Sequence, residues 1–70
     1  MTKRQREVFD AIVTYTGKNG YSPSMRELTE LVNARAVSTV FGVLERLRRD
    51  GFITWEESKP RTMRVLKEAS

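Results

Sequence analysis

Positions Val8, Phe9, Ile12, Val13, Tyr15 and Thr16 gather into one arc when the chain is wound at about 100° per residue, with Glu7, Asp10, Ala11 and Thr14 opposite. That period predicts a helix from about Lys3 to Lys18. It opens on Thr2-Lys3-Arg4-Gln5, where Thr2 and Gln5 can each satisfy an orphan backbone donor, and stops at Asn19-Gly20. Tyr21-Ser22-Pro23 reads as a short extended connection, because the residue before a proline avoids the α region. A second capping box, Ser24-Met25-Arg26-Glu27, starts a short helix from Met25 to Val32. Its apolar face is Met25, Leu28, Leu31 and Val32, and Asn33 tolerates the left-handed backbone that would end it.

A third helix is expected from about Val37 to Asp50, ending at Gly51, with Val37, Val40, Leu44 and Leu47 as its buried stripe. Beyond Gly51 the period shortens. Residues 52–56 (Phe52-Ile53-Thr54-Trp55-Glu56) and 62–66 (Thr62-Met63-Arg64-Val65-Leu66) are strand-like, with the polar stretch 57–61 between them. The expected fold class is α+β: a three-helix winged helix-turn-helix with a C-terminal two-stranded β-hairpin wing, forming a single domain over residues 1–70.

Composition narrows the function. The chain has 70 residues, Lys+Arg 13 against Asp+Glu 9, no His and no Cys, hence a net charge of +4. Zinc sites, disulfides, thiol nucleophiles and histidine bases are thereby excluded, and no apolar run approaches a membrane span. A chain of this size buries only about 60 % of its unfolded surface, which leaves little room for a deep catalytic cleft. No Gly-rich nucleophile turn or oxyanion framework accompanies any Ser, and Glu56-Glu57 lie among Lys and Arg as ordinary surface acids. The chain is therefore read as a non-enzyme with no catalytic residues, cofactor, metal or small-molecule substrate. The basic excess favours a polyanion as partner.

Only residues 33–36 separate the second and third helices, and the second member of such a pair can enter the major groove. Opposite its buried stripe the third helix carries Ser38, Gly42, Glu45 and Arg49, with Thr39 and Arg46 on one shoulder. Base-reading roles fall to Ser38, Thr39, Phe41 and Gly42. Gly42 is either a tolerated surface glycine or a bare point where backbone approaches a base pair. Phe41 lies on the boundary, suited to a thymine methyl, to packing against the wing or second helix, or to a subunit contact. Val43 flanks the other side.

Phosphate-binding roles fall to Ser24, Arg26, Arg35, Lys59, Arg61 and Arg64. Arg46, Arg48 and Arg49 read first as cations at a helix C-terminus, favoured by its dipole, and Lys3, Arg4 and Arg6 equally as a solvated face. Trp55 reads as core before it reads as a stacking platform for a single strand, and Tyr21 is a further candidate platform.

These residues carry a family resemblance. Thr2, Arg4-Gln5, Glu7-Val8-Phe9-Asp10 and Ile12 resemble the first helix of LexA-type repressors. Gly20-Tyr21, Pro23-Ser24 and Arg26-Glu27-Leu28 are similar to that family's G-Y-P-P-S-x-R-E-I segment, with Ser22 in place of the first Pro. Ser38-Thr39-Val40, Leu44, Leu47, Gly51 and Ile53 follow its S-T-V-x-x-H-L-x-x-L-x-x-x-G-x-I pattern, and Pro60-Arg61 its wing P-R. The chain departs from the family at Asn33-Ala34, where Gly-Leu is common, and at Ala36-Val37, in place of a Ser-rich turn. It departs again at Val43, often His, and at Phe41, often polar.

The resemblance implies a DNA-binding transcriptional repressor of the SOS type, with the third helix in the major groove and the wing near the minor groove. Ser38, Thr39, Phe41 and Gly42 would then be readers, Arg35 and Ala36 would stand at the approach, and Ser24, Arg26 and Arg61 would lie on the phosphate side. It also implies a self-cleaving, dimerising peptidase domain that this chain cannot supply, so no self-cleavage is expected of it. The chain is expected to be either the DNA-binding part of such a repressor or a small regulator acting alone. The expected partner is double-stranded DNA, with a second copy on a palindromic site. The expected location is cytoplasmic, at a bacterial nucleoid or encoded by a phage or mobile element. The alternatives are a winged-helix protein-binding module using Phe41 and Val43, and an architectural, excisionase-like DNA binder.

Overall fold

Thr2 accepts the Gln5 backbone N–H at 3.1 Å while the Gln5 side chain accepts the Thr2 N–H at 2.9 Å, and this box starts α1, Lys3–Asn19. Gly20 ends it with φ 80°, its N–H returning to the Thr16 carbonyl at 2.9 Å. Ser24 and Glu27 form the same reciprocal pair ahead of α2, Met25–Leu31, and Asn33 follows with φ 54°. Both signals act within one turn of backbone, which is why residues three apart could announce them. α3, Val37–Arg49, begins at Ala36, which offers no side-chain cap. A two-stranded antiparallel sheet closes the chain, β1 (Ile53–Thr54) against β2 (Arg64–Val65), in the register Ile53 to Val65 and Thr54 to Arg64. The computed structural model describes residues 1–67, so the last three residues of the expected 1–70 domain lie outside the described residues.

The core is one cluster. Val8, Phe9 and Ile12 of α1 meet Leu28 and Val32 from the α2 segment, Val40, Val43, Leu44 and Leu47 of α3, and Ile53 and Met63 of the wing. Arg4 locks α1 to the end of α2 by donating to the Val32 carbonyl at 3.0 Å, one of the acceptors a helix terminus leaves open. Phe52 seats the wing root on α1, its ring edge-on to Phe9 with centroids 6.0 Å apart. The hairpin then runs out beside α3.

The expected buried arcs need correction in all three helices. Val37 is 45 % exposed, and Val43 completes the α3 stripe instead. The helix is turned so that its buried arc centres near Val40, with Val43 inside it and Val37 at its margin. Leu31 is exposed, whereas Thr29 is buried and donates its hydroxyl to the Met25 carbonyl at 2.7 Å. Val13 is exposed, and Ala11 packs against the core. A seven-residue α2 offers its neighbours a narrow surface, so only the centre of each apolar arc is covered.

The strands are shorter than the expected 52–56 and 62–66. Leu66 N–H still bonds to the Phe52 carbonyl at 2.8 Å, but past Thr54 the ladder gives way to side chains. The Trp55 carbonyl accepts from Arg48 at 3.2 Å, and the Glu56 N–H donates to Thr62 Oγ1 at 2.9 Å. Ser58 and Arg61 take positive φ, 66° and 58°, which turns the loop away from a regular hairpin.

Candidate nucleic-acid interface

One face of α3 is open to solvent. Ser38, Thr39, Gly42, Glu45, Arg46 and Arg49 are all exposed there, on the side away from Val40, Leu44 and Leu47. A Cβ added at Gly42 would meet nothing within 4 Å, so no packing demand explains the glycine. In mid-helix it costs about 1 kcal/mol relative to alanine. The helix also starts open. α1 and α2 have boxed N-termini, whereas Ala36 has no side-chain oxygen to offer the leading amides of α3, and its carbonyl accepts the Thr39 N–H at 3.2 Å. Small polar side chains and bare backbone make a surface that accepts another molecule's hydrogen-bonding edges.

The cations divide into two sets. One set is occupied inside the molecule. Arg61 Nη1 lies 2.8 Å from Glu27 Oε1 and 3.3 Å from both the Tyr15 hydroxyl and the Ser22 carbonyl, and its guanidinium stacks 4.9 Å above the Tyr21 ring. Glu27 Oε1 also accepts the Ser24 backbone N–H at 2.9 Å, and Tyr15 donates to Oε2 at 3.1 Å. The Ser24 amide first, and the Arg61 guanidinium next, pull the Glu27 carboxyl down from 4.5 to about 2, and Arg61 is raised in return. Arg48 lies 4.3 Å above the Trp55 ring and donates to Glu57 Oε1 at 2.7 Å, so it braces the wing rather than merely answering the helix dipole. Lys59 faces Glu56 at 3.5 Å, and Arg49 faces its neighbour Asp50 at 3.6 Å.

The other set has no ion pair among the described residues and includes, around α3 and the wing, Arg26, Arg35, Arg46 and Arg64, all exposed. Arg26 starts α2, Arg35 precedes α3, Arg46 flanks its exposed face, and Arg64 lies on β2. These charges can be neutralised by an outside anion without breaking an internal contact.

The expected site residues therefore sort unevenly. Ser38, Thr39 and Gly42 stand together on the open face. Phe41, 38 % exposed, stands on its wing-side shoulder with its ring edge-on to Trp55, centroids 6.1 Å apart. Ser24 gives its hydroxyl oxygen to the Glu27 amide. Val43 is buried, which removes half of the apolar patch the protein-binding alternative requires. Arg46, read first as a cation at a helix C-terminus, lies in the last turn of α3, exposed and with no ion pair among the described residues. Sequence spacing missed Arg48 and Glu57 as wing braces, whose contacts join segments with no common period.

A family model for the LexA DNA binding domain matches residues 1–62. Similar proteins include the LexA repressor of Exiguobacterium sibiricum, 44 % identical over 66 residues, which are 94 % of this chain and 32 % of that protein. The LexA repressor of Staphylococcus epidermidis is 41 % identical over 97 % of this chain and 33 % of its own. The transcription regulator LexA of Synechocystis is 35 % identical over 97 % and 34 %. The chain spans about a third of the length of the curated relatives it matches. Three helices, a short wing and an open third helix thus agree with the match along the sequence, and the chain belongs to the LexA DNA binding domain family.

Proposed function

We propose that the chain is a single winged helix-turn-helix domain that binds double-stranded DNA sequence-specifically and acts as a transcriptional repressor module, with α3 in the major groove. The observation that carries this reading is the bare, unpacked face at Gly42, flanked by Arg35 and Arg46, which have no ion pair among the described residues. In this reading Ser38 and Thr39 exchange hydrogen bonds with base edges, Gly42 admits the backbone, and Phe41 touches apolar base surface. Arg26, Arg35 and Arg64 carry most of the phosphate contact. Ser24 can still donate its hydroxyl proton, and Lys59 and Arg61 contribute less because Glu56 and Glu27 offset their charge.

One module of this kind buries about 600–1,000 Å² of protein surface, so its affinity alone is modest. A second copy on a palindromic site would supply the rest, at the nucleoid in the cytoplasm. Selection of bound duplexes from a random pool tests the reading. A recurring half-site is expected, with spaced inverted pairs if two copies bind. With roughly five phosphate contacts the log–log salt slope should be about −4 to −5. An unenriched pool together with a flat salt titration would overturn it.

A further inference from the structure

Phe41 and Arg48 stand two turns apart on the same side of α3, and Trp55 of the wing lies between them. Trp55 is half-buried and packs against the core. The Arg48 guanidinium covers its ring at 4.3 Å, while Nη2 holds the Trp55 carbonyl at 3.2 Å and Nη1 the Glu57 carboxylate at 2.7 Å. The indole is thus fixed by a stacked cation and by its own backbone. Against it rests Phe41, edge-on at 6.1 Å and 65°, with 38 % of its surface open beside the bare backbone at Gly42. The ring is seated against the indole and presents its open apolar surface next to polar neighbours. In the major groove the apolar feature offered by a base pair is the thymine C5 methyl.

We propose that Arg48 and Trp55 are positioning residues that hold the Phe41 ring as a fixed probe for the C5 methyl of one thymine in the bound site. This rests on the duplex-binding reading above. Neither Arg48 nor Trp55 touches DNA in it; they act through Phe41.

The test uses the whole chain and a duplex recovered by pool selection, in which deoxyuridine replaces thymine one position at a time. Loss of the contacted methyl should weaken binding about three- to fivefold at one position, the value of one buried methyl group. Phe41→Ala should bind the thymine and uracil duplexes equally. Trp55→Leu and Arg48→Met should shrink the thymine preference while leaving the salt slope unchanged, and Trp55→Phe should restore most of it. Thermal melting of each variant separates loss of positioning from loss of fold, and the scan on the unaltered chain needs no variant.

A selected duplex that tolerates uracil everywhere overturns the methyl probe and leaves sequence-specific binding standing. An Arg48→Met chain with a flatter salt slope, or folded Arg48 and Trp55 variants with an undiminished thymine preference, overturns the positioning role. Failure to enrich any duplex removes the underlying reading first.

Discussion

Arg61 of the wing closes a 2.8 Å ion pair onto Glu27, the residue whose carboxylate also completes the capping box of α2. The wing and the first member of the helix-turn-helix therefore share one carboxyl group. Tyr15 of α1 adds a third element, donating to Glu27 Oε2 at 3.1 Å.

Acid should unseat this junction. The folded Glu27 carboxyl is held near 2 against an ordinary 4.5, chiefly by the Ser24 amide and then by Arg61. A depressed folded value means that the stabilisation is fully present above about pH 4.5 and disappears as the pH falls toward 2. Glu27→Gln should be less stable than the unaltered chain at neutral pH, and the two should converge in acid. Thermal midpoints followed across that window check it; parallel curves would contradict the assignment.

The two sets of cations should behave differently on substitution. Arg35→Ala or Arg26→Ala should leave the thermal midpoint unchanged and flatten the salt slope of DNA binding by about one unit, the signature of a lost phosphate contact. Arg61→Ala should lower the thermal midpoint and change the slope by less. Equal slope changes in all three would mean that Glu27 does not offset Arg61.

Gly42→Ala should separate stability from binding. A Cβ there meets open space, so the helix should gain about 1 kcal/mol by denaturant titration. Affinity for the selected duplex should fall about fivefold or more, the size of one spoiled base-pair contact. Unchanged affinity would reduce Gly42 to an ordinary surface glycine.

Ser22→Ala should stabilise the fold. The Ser22 hydroxyl is buried without a hydrogen-bond partner among the described residues. Removing an unsatisfied hydroxyl should gain about 1 kcal/mol, read as a higher thermal midpoint. The Ser22 carbonyl would still accept from Arg61, so duplex affinity should not move.

Much of this molecule is written in neighbouring residues. Thr2 with Gln5, Ser24 with Glu27, and the left-handed stops at Gly20 and Asn33 act across a single turn, so their spacing alone announced the first two helices. The open face of α3 was legible for the same reason: helical period separates Ser38 and Gly42 from Val40 and Leu44 without reference to any other segment.

The tertiary structure decided what packing decides. Val43 rather than Val37, and Thr29 rather than Leu31, are covered because the width of a buried arc depends on the neighbour lying over it. The strand ladder ends at Thr54 because Arg48 and Thr62 take the next backbone groups. Above all, a cation's availability depends on whether an acid or an aromatic ring from another segment reaches it. Arg61 and Arg35 look alike in the sequence, yet only the packing of the wing against α1 and α2 brings Glu27 to the one and leaves the other without an ion pair among the described residues.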